Sequence, residues 1–292
     1  MKRTALVTFL VLGLAGFAYA DIVVDETRPL DADGIVEISN ISGDVTVVGW
    51  SGESVVITGT LEQGVKNLEI SSGGHRLRIE VEQQRRTRTS SDADLTIKMP
   101  STANLEVETV SADISVDGIA GDLELESVSG KVEVTGKARS LEASSVSGDV
   151  VVVSAAGRSD LESVSGDVIV RDGGGRIDAE SVSGNIEIEG GALDLLDGET
   201  VSGSIACRAR PTDTGRFAFE TMSGTIDLFV SPDWSASYYV ETYSGSIRND
   251  IGPEPRRTDD YGPGKELRFT TGSGGARITI ESFSGSVRLR AD

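Results

Sequence analysis

Apolar residues along most of this chain fall two apart, break at a short polar phrase, and then resume. LELESVSGKVEV at 123–134 is followed by LEASSVSGDVVV, LESVSGDVIV and IDAESVSGNIEI. Period-two alternation on each side of a Ser-Gly pair predicts two short strands joined by a tight turn. Taking the glycine of each pair as a register mark gives Gly43, Gly130, Gly148, Gly166, Gly184, Gly203, Gly224, Gly245 and Gly285, with Ala112 in the same slot of VSADISV. From Ala112 the steps are 18, 18, 18, 18, 19, 21, 21 and 40, and the last reads as two turns with a loop between them.

A fixed period near twenty marks a solenoid, in which no unit can bury its apolar face alone. Eighteen residues trace a closed path of at most roughly 60 Å, which fits one flattened coil of an all-β, parallel β-solenoid. Apolar residues seven, five and two places before the mark, and two and four after it, are the expected inner columns. In one repeat these are Leu123, Leu125, Val128, Val132 and Val134; in another, Ile177, Ala179, Val182, Ile186 and Ile188. The odd interval between five and two implies a bend or bulge, and the glycine is read as supplying the backbone freedom of a corner. Phe217, Phe219, Met222, Tyr238, Tyr243 and Phe283 are the bulkier filling expected where coils lengthen towards the C-terminus. Arg288 and Arg290 in the last strand, SVRLR, read as charges that blunt an exposed edge.

Residues 1–20, MKRTALVTFLVLGLAGFAYA, have the charged start, apolar stretch and small-residue site expected of a secretory signal cleaved after Ala20, the alternative being an uncleaved membrane anchor, for which the apolar part is short. Residues 21–100 are expected to be less regular strands capping or extending the solenoid. Residues 101–292 are expected to be the repeats, with a loop insertion at about 249–266. Nothing long reads as an amphipathic or membrane-spanning helix.

Charge narrows the partners. Without Lys2 and Arg3, 47 acids face 25 bases, a net charge of −22, which disfavours nucleic acid and anionic lipid. Residues 101–204 hold 21 acids and 6 bases, whereas 205–292 hold 12 and 11, so one face or end should be strongly acidic. Four places before the mark stand Glu108, Glu126, Glu162, Glu180, Glu199, Glu220, Glu241 and Glu281, with Ser39 and Ser144 as the exceptions. This ladder reads as a solvated face, the alternative being weak cation sites; no metal or other cofactor is expected.

Catalytic constellations are hard to assemble. Serine or threonine stands three places before every mark from Ala112 onward, and these hydroxyls are read as bonding to backbone at the corners. A nucleophilic serine needs a base, and the chain has one histidine, His75, in the loop-like SSGGHRL. Cys207 falls on an inner column and reads as a small buried hydrophobe. Trp234 and Tyr239 fall off the inner columns and are the candidates for surface contact with a partner, against the simpler reading of packing under a local loop. The basic stretch QQRRTRTSS at 83–91 and the segment 249–266 read as mobile loops, each a candidate for recognition.

VEISNISGDVTV, DLTIKMPSTANLEVETVSADISV, the run of ESVSG turns and the closing GSGGARITIESFSGSVRL resemble the bacterial putative-adhesin family, a domain of unknown function in exported chains. The resemblance runs from about residue 35 to the end and implies a β-solenoid and, by the family's name, adhesion; it carries over no catalytic or ligand residue. The expected function is therefore a non-catalytic interaction module of the cell envelope, its partner an envelope protein or glycan, without stable membrane insertion. A carbohydrate-active β-helical enzyme, by analogy of fold, and a structural envelope scaffold are the alternatives.

Overall fold

The computed structural model describes residues 21–84, 91–154, 157–259 and 262–292. The signal segment 1–20 and most of the basic stretch at 83–91 lie outside the described residues. The described chain is all strand and turn, without a helix.

Each coil of the central region has a front strand before its glycine mark and a back strand after it, and the strands stack in parallel with the coils before and after. Front strands Asn104–Thr109, Asp122–Ser127, Ser140–Ser145 and Arg158–Ser163 pair in unbroken register, Leu105 beside Leu123 and Leu123 beside Leu141. Back strands Asp113–Asp117, Val132–Thr135 and Val150–Val153 do the same. Farther along, the front and back strands merge into continuous strands, Val168–Ser181, Ile186–Thr200 and Ile205–Thr221, whose pairings shift register where the coils lengthen.

The core lies between the two faces. Positions seven and five before the mark and two and four after it are buried throughout the coil stack, from Leu105, Val107, Ile114 and Val116 to Phe217, Phe219, Ile226 and Leu228. Stacking places like residues about 4.8 Å apart, so volumes trade between coils: Gly198 leaves room for the ring of Phe219, which lies beside it in the next layer.

The corner differs from the sequence expectation. Period two continues from seven and five to three places before the mark, so the buried side chain there is the serine or threonine, as at Ser127, Ser145, Ser163 and Thr200. The next residue turns outward: Val128 and Val182, expected inside, are 47% and 46% exposed, and Met222, Tyr243 and Phe283 are exposed likewise. No bulge is needed, because the strand simply ends on a hydroxyl.

That hydroxyl ties the turn together. Ser163 Oγ accepts the N–H of Gly166 at 2.9 Å and donates to the carbonyl of Gly148 in the preceding coil at 3.1 Å; Ser145 repeats this with Gly148 and Gly130. A buried hydroxyl thus satisfies one donor and one acceptor that the corner would otherwise strand. Just past the glycine, Asp149 Oδ1 accepts the N–H of Asp167 at 2.9 Å, and Asp167 Oδ1 that of Asn185 at 2.7 Å. The glycine itself is required by close approach and not, as read from the sequence, by backbone angle. Of the marks, only Gly43 has a positive φ, whereas a Cβ on Gly166 would sit 2.1 Å from the carbonyl oxygen of Gly148.

Both ends interleave. The layer of Ile35–Asn40 and Asp44–Trp50 lies between that of Asn104–Thr109 and Asp113–Asp117 and a layer formed later in the chain, Arg76–Gln83 and Ala93–Pro100. Antiparallel strands Val65–Ser72 and Ser54–Leu61 cover that outer layer, and Ile22–Pro29 pairs with the latter. At the other end, Ala276–Ser282 and Ser286–Ala291 insert between the layers of Gly224 and Gly245. Lys265–Thr270 then covers Ala236–Thr242 antiparallel. The SVRLR strand is therefore no edge. Arg290 and Arg288 instead reach sideways to Asp227 on the neighbouring strand, at 2.8 and 3.5 Å.

Candidate functional site: a carboxylate and apolar groove

Turning the residue after the buried hydroxyl outward has a cumulative effect, because the turn backbones also stack: Ser165 N–H bonds Val146 carbonyl at 3.0 Å, and Ser284 N–H bonds Met222 carbonyl at 2.9 Å. The outward residues therefore form a single file. In spatial order it runs Ile41, Val110, Val128, Val146, Val164, Val182, Val201, Met222, Phe283 and Tyr243, each between 36% and 62% exposed. The last two rings stack at 4.9 Å and 8°. These ten are most of the exposed large apolar side chains among the described residues.

Two places back along the front strands lies the glutamate ladder, also outward and interrupted only at Ser39 and Ser144. Between the files runs an open groove of about 670 Å³ from Ser127 to Tyr243, with the buried hydroxyls in its floor. Glu108, Glu126, Glu162, Glu180, Glu199, Glu220 and Glu281 make no salt bridge or hydrogen bond to the described residues. Glu241, at the far end, accepts from the Tyr239 hydroxyl.

A second acidic column, not singled out from the sequence, stands two places further back: Glu37, Glu106, Glu124, Glu142, Asp160, Asp178 and Asp197. Its signal was present in the same alternation. Glu37 is buried and clasped by Arg76 and Arg78, and Asp160 pairs with Arg158 at 3.0 Å. Partial burial, and then the charge of neighbouring carboxylates, raise Glu124, Asp178, Glu180, Asp197 and Glu199 above their ordinary pKa values. Among the described residues no group of histidine, cysteine and carboxylate side chains is arranged to hold a metal ion.

The two aromatic contact candidates fall outside the groove's apolar file. Trp234 is only 6% exposed and packed into the core, the outcome of packing under a local loop that the sequence offered beside surface contact. Tyr239 is half-buried, with the Arg268 guanidinium 4.5 Å from its ring centre. Sequence reasoning missed the file because valine beside serine in a β-rich repeat reads as core; only the buried hydroxyl reveals the outward turn. His75 is exposed, 3.8 Å from both Asp31 and Asp33, with no groove residue beside it. Cys207 is buried, and burial pushes its thiol up to about 12, far from a reactive thiolate.

The chain is similar to several solved structures. A putative adhesin from Bacteroides fragilis is 13% identical, with 92% of this chain and 97% of that one covered and a TM-score of 0.45. A putative lipid binding protein from Parabacteroides distasonis is 14% identical, covering 91% and 96%, with a TM-score of 0.44. A putative adhesin from the same organism is 11% identical, covering 92% and 97%, with a TM-score of 0.37. No curated protein matches the sequence. Residues 27–172, half of the chain, match the family model Toastrack DUF4097, and the chain belongs to that family.

Proposed function

We propose that this chain is an exported, non-catalytic interaction module of the bacterial cell envelope, and that it binds its partner along the groove. The observation that carries this reading is the unbroken file of ten exposed apolar residues. Contiguous apolar surface is disfavoured on a soluble monomer unless something covers it, and here it is maintained coil after coil at a position the fold leaves free. The signal-like residues 1–20 support export. Against an enzymatic reading, hydroxyls in the groove floor such as that of Ser163 are engaged by backbone as both donor and acceptor, and the chain's one histidine, His75, is not among the groove residues. Against end-to-end scaffolding, both ends are covered by antiparallel strands.

The test is retention of envelope proteins and glycans on immobilised residues 21–292, beside a Val146→Ser, Val164→Ser, Val182→Ser variant. We expect a retained species that the variant loses, with no turnover of polysaccharide, peptidoglycan or ester substrates. Equal retention by both proteins would remove the groove from the reading, and turnover abolished by an acidic-pair substitution would replace it with the enzyme.

A further inference from the structure

We infer that the partner segment is a basic, amphipathic α-helix lying lengthwise in the groove, along the solenoid axis; this rests on the reading of the groove as the binding face. Several carboxylates elsewhere carry their own cations: Glu37 has Arg76 and Arg78, Asp122 has Arg139, and Asp227 has Arg288 and Arg290. The glutamates beside the apolar file have none among the described residues, although a net charge of −20 makes each additional unpaired acid unfavourable. An occupant that covers the apolar file therefore meets a carboxylate on one flank in every layer except those of Ser39 and Ser144. Complementarity asks for an apolar stripe bordered by lysine or arginine.

The shape of the occupant follows from the backbone. Along the side of the coil stack every strand is already paired with those above and below, so no free edge invites an added β-strand. The file repeats about every 4.8 Å, close to the 5.4 Å pitch of a helix and far from the roughly 6.7 Å same-face repeat of an extended strand. Nine steps give about 43 Å, enough for about 28 helical residues. At one end the file widens from valine to Met222, Phe283 and Tyr243, where stacked rings and a flexible thioether offer an anchor for a larger apolar side chain. A second copy of the chain presents the same acidic flank and is repelled, as is an anionic lipid surface.

The experiment uses residues 21–292 and a labelled synthetic peptide of about 21 residues, built of leucine and lysine in helical period, with a shuffled peptide of identical composition. Fluorescence anisotropy should show saturable binding of the helical peptide, at least about tenfold tighter than the shuffled one. Val164→Ser, Val182→Ser and Val201→Ser together should weaken it about tenfold or more, at an unchanged melting temperature. Glu162→Gln, Glu180→Gln and Glu199→Gln together should weaken it and flatten its salt dependence. Equal binding of both peptides, or indifference to the valine substitutions, would overturn the inference. So would valine-dependent capture by phosphatidylglycerol vesicles, or valine-dependent self-association, without peptide binding. If the valine variant loses an envelope partner while the wild-type chain ignores the helical peptide, the binding-face reading stands and the helix alone is wrong.

Discussion

Replacing Gly166 by alanine isolates what the repeated glycine does. An added Cβ would lie 2.1 Å from the carbonyl oxygen of Gly148, 2.5 Å from its carbon and 2.8 Å from the nitrogen of Asp149, all backbone atoms of the preceding coil. Ordinary contact begins near 3.4 Å, so the two layers must part locally by more than an ångström. They are held on both sides of the glycine, by Ser165 N–H to Val146 carbonyl at 3.0 Å and by Val150 N–H to Asp167 carbonyl at 2.9 Å. Overpacking a rigid site costs about 1–3 kcal/mol, and loosening two backbone hydrogen bonds adds about 0.5–1.5 kcal/mol each. The total is roughly 2–6 kcal/mol, a melting-temperature loss on the order of 5–20 °C for a chain of this size.

Two other glycines separate the causes. Gly74 has φ +76° and open space around its Cβ position, so Gly74→Ala should cost only about 1–2 kcal/mol of backbone strain. Gly191 has neither a positive φ nor a neighbour, and Gly191→Ala should be neutral or stabilising by up to about 1 kcal/mol. Thermal unfolding followed by far-ultraviolet circular dichroism ranks the three. A Gly166→Ala variant no less stable than Gly74→Ala would refute the close-approach argument and return the glycine to a conformational role.

Stability should also respond to acid in an unusual direction. Glu124, Asp178, Glu180, Asp197 and Glu199 bind protons more tightly folded than unfolded, so the melting temperature should rise as pH falls from neutrality through their raised values towards the ordinary 4.5 and 3.8. A monotonic fall over that interval would contradict the assignment. Val150→Asp places an unpaired charge at a fully buried position and should cost several kcal/mol, whereas Asp149→Ser loses one exposed hydrogen bond and should cost about 1 kcal/mol; equal denaturation midpoints would overturn the column assignment. Calcium should raise the melting temperature no more than sodium chloride of equal ionic strength, and an extra increment that vanishes when Glu126, Glu162 and Glu180 are all glutamine would show bound cation.

The coil was legible because its constraint is periodic. Leu123, Leu125, Val132 and Val134 repeat at a spacing that only stacked coils satisfy, and their burial follows. The corner was less legible, since a polar residue in the core contradicts the simplest reading of hydropathy. Ser127 and Val128 exchange their expected places because a hydroxyl can satisfy the glycine N–H at 2.8 Å and a valine cannot. That exchange hid the groove. The glutamate ladder was visible at once, yet without its apolar neighbour it read as a solvated face.

The ends were illegible for a different reason. Chain order and spatial order agree while each coil adds to the last, but the layer of Ala276–Ser282 enters between two layers that precede it in sequence. No local pattern encodes such an insertion; it is specified by the side chains it matches, as where Ile278 and Ile280 fit between Phe217 and Phe219 on one side and Tyr238 and Val240 on the other. Such long-range pairing is expected to form more slowly than that of neighbouring coils. It also completes the groove, because Phe283 enters the apolar file with the inserted layer and supplies the ring against which Tyr243 stacks. The valine stretch is thus built by local repetition, whereas the aromatic anchor exists only once the C-terminal strands have closed, which ties the widest part of the binding face to completion of the fold.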